Sequence, residues 1–538
     1  ITGVPTSVTV FIGRTRWGAV GTPTTITSYS QYEQLFGGPL PGTYLASCVE
    51  DFFQNGGMQA VVLRLFTSSS SATGVLDPAK QIWSDPETGK PTDPDKAGWG
   101  PALGKSNQAP NLQAASPGAW AKKLSVRIDR KGLLTAQPAA SGGGAPPAPT
   151  YQTLVLTKYK TDTWDADDLF NITITLDAGG GQQIVERFKY VSLNDNAGSR
   201  RLSQVLEHGS RLVRATGGAA LPPALGADSA ALTDKEFDQA LEILDKVETF
   251  NLICAPPDTE LGDGDPLSTT STVANGKLAA LARARRAMLI LDTPPAWSAE
   301  TFDRTTLTAE HFTADLGVTA GDDAARYAAA YFPWMIKADP LNGDAPRAVP
   351  PCGAVAGIMA RTDQSRGVWK APAGVESGIG GIEGLTYPLS DVETGNLNDI
   401  GVNCLRSFSS TGPVLWGART LKGSDALADD FKYVPIRRLA NYMEESLRRG
   451  TNWAVFEPND EPLWAQMRLS VGAFMSELFR QGAFQGSSAK DAYSVVCDAS
   501  VNPPDDVNQG LLNVVVSYAP LKPAEFVVLY FQQKTLGA

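Results

Sequence analysis

Short apolar runs that read as buried strands recur along this chain with helix-spaced segments between them, and this alternation restricts its fold more than any other feature. Near the start, residues 7–13 form a β-rich apolar run. Residues 45–54 carry helical spacing ended by Asn55-Gly56-Gly57, and residues 60–66 give a second apolar run. From Asp234 the pattern resumes. Leu241, Leu244 and Val247 space a helix, residues 250–254 form a strand stopped by Pro256-Pro257, and a helix over 278–286 leads into the strand 287–291. Strands separated by helices predict an α/β layer with parallel strands. After Leu385 the cycle repeats. Strands are expected at 413–420, 453–456, 493–497 and 513–518, with helices at 436–449 and 463–479, enough for a further domain.

Between these stretches the character changes. Residues 67–115 are rich in Ser, Pro, Asp and Gly with little periodicity, which predicts surface loop. Strand-like segments follow at 124–129, 153–160, 170–177 and 188–193, split by the low-complexity run 138–149, with a helix over 201–214. The expected fold class is therefore α/β, in an α+β multidomain arrangement. Residues 1–66 and 227–384 make a central α/β domain, 67–226 an inserted β-rich outer domain, and 385–538 a C-terminal α/β domain. A length of 538 residues is too great for one hydrophobic core, which agrees with two to four domains.

Composition excludes some functions. A formal charge of -11 repels phosphate backbones and anionic headgroups, so neither nucleic acid nor a membrane surface is an expected partner. The longest apolar runs, such as 526–531, are far too short to span a bilayer. Cys48, Cys254, Cys352, Cys404 and Cys497 lie far apart without paired spacing and read as small core residues of a reduced, cytosolic protein. The chain opens at Ile1 with no charged-then-apolar leader, so no signal peptide is expected.

Candidate chemistry is sparse. His208 and His311 have no nucleophile or metal-ligand spacing around them. No phosphate-cradling Gly-x-x-x-x-Gly-Lys-Ser/Thr occurs, and Gly378-Ile-Gly-Gly-Ile-Glu-Gly384 has Glu383 where a dinucleotide fingerprint needs its third glycine; it reads as a flexible loop. Asp258, Asp263 and Asp265 lack the alternation and terminal glutamate of a calcium loop and read as a polar turn. Glu457 and Asp460 form a carboxylate pair with no recognisable sugar-binding aromatics. No catalytic, cofactor-binding or metal-ligating residue is assigned.

Two helices carry clear stripes: Ile436, Leu439, Ala440, Met443 and Leu447 on one, and Trp464, Met467, Val471, Phe474 and Leu478 on the other, both expected to be core. Arg437, Arg438, Arg448 and Arg449 would face away from the first stripe with Glu444 and Glu445. The stretch 478–490 holds Arg480 and Lys490 with no acid. These basic groups read either as a solvated face with internal ion pairs or as an edge that meets a partner. In the final run Phe526, Val528 and Tyr530 point to one face and Val527, Leu529 and Phe531 to the other. Both faces are apolar, so this strand must be covered on both sides.

The ordered motifs of the last third are Tyr331-Phe-Pro-Trp-Met-Ile-Lys-Ala-Asp-Pro340, Val349-Pro-Pro-Cys-Gly-Ala-Val-Ala-Gly-Ile-Met-Ala-Arg-Thr-Asp363, Arg366-Gly-Val-Trp-Lys-Ala-Pro372, Leu397-Asn-Asp-Ile-Gly-Val-Asn-Cys-Leu-Arg406, Trp416-Gly-Ala-Arg-Thr-Leu421 and Trp453-Ala-Val-Phe-Glu-Pro-Asn-Asp460. Together with Gly3-Val-Pro-Thr-Ser7 and Pro523-Ala-Glu-Phe-Val-Val528 they resemble the sheath protein of contractile phage tails and related contractile injection systems. The resemblance is weak over roughly 67–226. It implies a structural subunit that polymerises as a helical sheath of many copies around an inner tube and contracts to drive the tube into a target membrane. Implied partners are further copies, the inner tube protein, and baseplate and terminal cap proteins, within a phage tail or tail-like particle assembled in the cytoplasm. No cofactor, nucleic acid or direct membrane insertion is implied. The tube contact would fall near Arg480 and Lys490. The strand Phe526, Val527, Val528, Leu529, Tyr530 and Phe531 would complete a neighbour's sheet, and an extended arm is expected upstream of the Gly3 motif. The alternatives are a static structural polymer or an α/β hydrolase.

Overall fold

The computed structural model describes residues 1–67, 81–84, 91–92, 112–116, 118–129, 169–179, 182–193, 197–215 and 228–525. The expected strand 153–160 and the terminal strand 526–531 lie outside the described residues.

The alternation of strand and helix produces one eight-stranded sheet, ordered Gly412–Trp416, Val402–Phe408, Ala328–Phe332, Met288–Asp292, Leu252–Cys254, Thr9–Gly13, Ala60–Arg64 and Thr24–Ile26. The six inner strands run parallel, and the outermost strand on each side pairs antiparallel. Every residue of Thr9–Gly13, Ala60–Arg64, Met288–Asp292 and Ala328–Phe332 is buried, because helices cover both faces of the sheet. Helices Asp234–Leu244, Thr269–Arg285 and Asp391–Ile400 pack one face; Tyr29–Phe36, Leu45–Gln54 and Cys352–Arg366 pack the other. Capping boxes at Thr233/Glu236 and Ser390/Glu393 start two of these helices.

Helices Leu45–Gln54 and Cys352–Arg366 approach until a Cβ on Gly353 would lie 2.0 Å from the Cys48 carbonyl oxygen. Beside this contact the Cys352 thiol meets the Cys48 sulfur at 3.7 Å. Burial pushes the thiols of Cys48, Cys254 and Cys352 up. All five cysteines are free and buried, so they are core residues.

The sheet extends beyond the expected boundary at Leu385: Val402–Phe408 and Gly412–Trp416 belong to it and not to a separate last unit. The C-terminal body is correspondingly smaller, with helices Val434–Gly450 and Glu461–Arg480 covering an antiparallel pair, Tyr493–Val496 and Val515–Tyr518. The strand expected at 453–456 is instead a 3-10 turn, Asn452–Ala454, followed by an exposed bend. Four apolar-looking residues between two helices did not supply a partner strand, and main-chain turns satisfy them instead.

The inserted region is β-rich: Pro91–Thr92, Gln81–Ser84, Leu124–Asp129, Leu169–Gly179 and Gln182–Ser192 form one sheet, and Leu112–Ala114 pairs with Val213–Ala215. The helix expected over 201–214 is only Leu202–Gly209. Ser210 ends it, its hydroxyl accepting from the Leu212 and Val213 amides as the chain turns into the strand. Trp17 joins this body to the main sheet, its ring 5.9 Å from that of Trp120.

Candidate assembly surface

The helix Val434–Gly450 is buried on two sides. Leu439 and Met443 face the C-terminal core as its spacing requires, while its other side lies against the central body. Arg437 and Arg438 are therefore not on a solvated face, contrary to the sequence expectation. Arg438 forks onto Asp363 at 2.9 and 2.6 Å and donates to the Thr6 carbonyl at 3.0 Å. Arg437 binds Glu444 and Asn441 and lies over the Phe431 ring at 4.1 Å. A buried guanidinium is tolerated only when its donors are met by acids and carbonyls, and both arginines have such partners. Arg448 and Arg449 share Glu445, and the hydrogen bond from Arg448, followed by that from Arg449, pulls its carboxyl down to about 2.

At the far end of the C-terminal body, Arg480 is exposed and paired with Glu477, just outside the stretch that lacks acids. Lys490 is exposed in the short helix Ala489–Ala492 and has no ion pair among the described residues.

The antiparallel pair is more informative. Tyr493 faces Tyr518, Ser494 faces Ser517, Val495 faces Val516 and Val496 faces Val515. Alternation puts Tyr493, Val495, Val516 and Tyr518 on the helices and leaves Ser494 and Ser517 outward. Neither strand has another strand partner among the described residues, so both margins present unpaired main-chain groups. The chain then passes Pro520, which bridges to Phe484, and runs to Glu525. The Glu525 carboxylate accepts from Arg419 Nε at 2.7 Å and Nη2 at 2.6 Å and from the Tyr433 hydroxyl at 3.1 Å. Burial pushes the Glu525 carboxyl up, but the hydrogen bonds and charge of Arg419, with Tyr433 and Lys432, together hold it below the usual range. Sequence reasoning missed this anchor, since nothing local to Glu525 signals a partner 106 residues earlier.

Residues 521–525 border a groove of about 870 Å³ that also takes in Trp369, Trp416 and Tyr433. Three ion pairs lie at its wall, Arg406 with Asp391, Arg366 with Glu376, and Glu525 with Arg419, while Lys370 and Lys522 line it with no ion pair among the described residues. The residues weighed for catalysis do not converge there. His208 ends an outer helix, and the His311 ring nitrogen accepts from the Thr308 amide at 3.1 Å. Asp258 is bound to Arg14 at 2.7 Å, and Asp265 accepts from the Gly262 amide. The 378–384 segment is tied down and not flexible: Gly380 donates to Asn55, Ile379 to the Pro413 carbonyl and Glu383 to the Ile336 carbonyl.

Comparison with known families decides what this architecture is. A model of the phage tail sheath protein central domain matches residues 230–421, and one of the phage tail sheath C-terminal domain matches 428–534, more than half of the chain between them. The chain belongs to the phage tail sheath family. It is 29% identical over 189 residues to the tail sheath protein of Vibrio phage KVP40, covering 35% of this chain and 27% of that protein. It is 25% identical over 199 residues to that of Enterobacteria phage T4, covering 36% and 28%. The matches thus span little more than a quarter of those relatives' length. The sheath fold extends to nearly the whole chain. The helical sheath of the anti-feeding prophage in its contracted state superposes with a TM-score of 0.56 at 20% identity, covering 99% of this chain and 95% of that one. The break between the two matched models, at 421–428, falls shortly after the last strand of the main sheet, Gly412–Trp416. No helix among the described residues is long and apolar enough to cross a membrane.

Proposed function

We propose that this chain is the structural subunit of a contractile sheath, polymerising helically around an inner tube and shortening to drive that tube into a target membrane. The observation that carries the reading is the two-stranded C-terminal sheet with both margins open, next to a chain end anchored through Glu525. Strand addition suits such a sheet: main-chain hydrogen bonds supply affinity, and alternate side chains fill pockets. The run Phe526, Val527, Val528, Leu529, Tyr530 and Phe531 is the segment to be added to a neighbour, and the inner tube is met near Arg480 and Lys490. Residues 1–66 and 227 to about 421 form the central unit, 67–226 the outer one, and the remainder the unit facing the tube.

Further copies, the tube, a baseplate and a terminal cap are the partners. Baseplate and helical sheath both appear among the solved anti-feeding prophage assemblies of similar fold. The subunit acts without catalysis, cofactor or nucleotide. A metastable extended lattice holds the required free energy in its interfaces and releases it as they repack.

Electron microscopy of the purified protein tests this: hollow cylinders with cogwheel cross-sections are expected, whereas monodisperse particles or a smooth invariant tube would overturn it. Leu529→Pro removes a ladder donor. It should leave a folded monomer with an unchanged melting profile and no cylinders. A globally unfolded variant would place the strand within its own subunit.

A further inference from the structure

The bend between the two C-terminal helices carries the residue least explained by the subunit alone. Phe456 is 102% exposed and holds φ at 72°, a left-handed conformation rare for an aromatic residue. Backbone strain and an uncovered ring are two costs, and nothing within the described chain offsets either. The bend itself is well built. Ala454 donates to the Thr451 carbonyl and Glu457 to the Ala454 carbonyl, and Asn459 accepts from Trp464 Nε1 at 2.8 Å while donating to the Leu511 carbonyl at 2.8 Å. Phe456 is thus displayed from a fixed platform.

The Asn459 bond also locates the display. Leu511 is 49% exposed and leads into the strand Val515–Tyr518, whose first residue is 46% exposed. Exposed apolar side chains at Val455, Phe456, Leu511 and Val515 thus lie on segments that this bond ties together, the last of them on the strand with an open margin. We infer that Phe456 is an anchor that inserts into a second copy of this chain, adjoining the strand-addition margin. The inference rests on the sheath reading and adds to it a contact made by the folded body and not by an extended arm. The inner tube is a poor occupant. The bend stands at the N-terminal end of helix Glu461–Arg480, whose 20 residues separate it by about 30 Å from Arg480, where the tube contact is placed.

Phe456→Gly removes the ring and relieves the backbone, so the monomer should melt no lower than the wild type. The concentration at which cylinders first appear should rise by about tenfold to a hundredfold, the range for losing one buried phenylalanine. Phe456→Leu, which keeps an apolar side chain, should recover most of the assembly. With p-benzoylphenylalanine in place of Phe456, irradiated cylinders should yield a covalent product of two copies of the chain. Cylinders from Phe456→Gly at the wild-type concentration would overturn the anchor while leaving the sheath reading intact. So would a photoproduct with the tube protein in tube-bound assemblies. Absence of cylinders from the wild-type protein would remove the sheath reading and the anchor with it.

Discussion

Arg419 and Glu525 form a two-pronged ion pair that fastens the segment following the C-terminal strands onto the end of the main sheet. The Arg419 side chain is wholly buried and also donates to the Asn398 and Gly423 carbonyls at 2.8 and 3.0 Å, so its position is fixed independently of Glu525. The chain beyond Glu525 therefore departs from a defined point.

Glu525→Gln keeps the shape and removes the charge. A hydrogen bond to a charged group contributes about 1.5–3 kcal/mol, and a loss of that size is expected in urea unfolding. Limited proteolysis should then cut within 521–525 faster than in the wild type. Unchanged cleavage would show that Pro520 and Phe484 suffice to hold the segment.

Asp292 gives a pH signature. It is buried beneath the helix Cys352–Arg366. Burial pushes its carboxyl up to about 7, only partly opposed by hydrogen bonds from the Cys352 thiol and from the Cys352 amide at 2.9 Å. The folded state then holds a proton that the unfolded chain releases near pH 3.9. Its contribution to stability is present below that value and is lost as pH rises through about 7. Asp292→Asn should reduce this decline, leaving the part due to Asp51, whose carboxyl burial also pushes up to about 7, and be at least as stable as the wild type at pH 8. A variant with the same slope from pH 4 to 7 would assign the effect elsewhere.

Gly353→Ala would push a methyl group onto the Cys48 carbonyl. Overpacking of this kind costs about 1–3 kcal/mol or more, because two helix backbones must separate. Thermal melting should show the loss, and Gly395→Ala, where a Cβ meets nothing within 4 Å, is the control.

Reversing Arg480 and Lys490 to Glu should leave the melting profile unchanged, since exposed charges contribute little. If this end meets an acidic tube, tube-templated assembly weakens and loses its salt dependence. Equal assembly across ionic strengths would move the contact.

Four of the six parallel strands were legible in the sequence because they are continuous apolar runs bounded by Pro, Gly or helix, as at Leu252–Cys254 and Met288–Asp292, whereas Ala328–Phe332 and Val402–Phe408 were not read as strands. Helix stripes such as Met467, Val471 and Leu478 were equally direct. Two features were not. Arg437 and Arg438 look like surface residues because charge is read as exposure, and Asp363, 75 residues away, together with the Thr6 carbonyl makes burial tolerable for Arg438. Val455 and Phe456 look like a strand because apolar content is read as burial, yet they are exposed. In both cases local composition pointed one way and a distant or absent partner decided the outcome.

The main sheet is covered at one margin and short at the other. Gly374, Ser377 and Ile379 bond along Gly412–Trp416, and the opposite edge ends in a strand of only three residues. A subunit so closed resists sticking to its siblings sideways through its largest element. The open main-chain edges among the described residues then lie on the four-residue strands Tyr493–Val496 and Val515–Tyr518 at one corner, which gives strand pairing between copies, where it occurs, a direction.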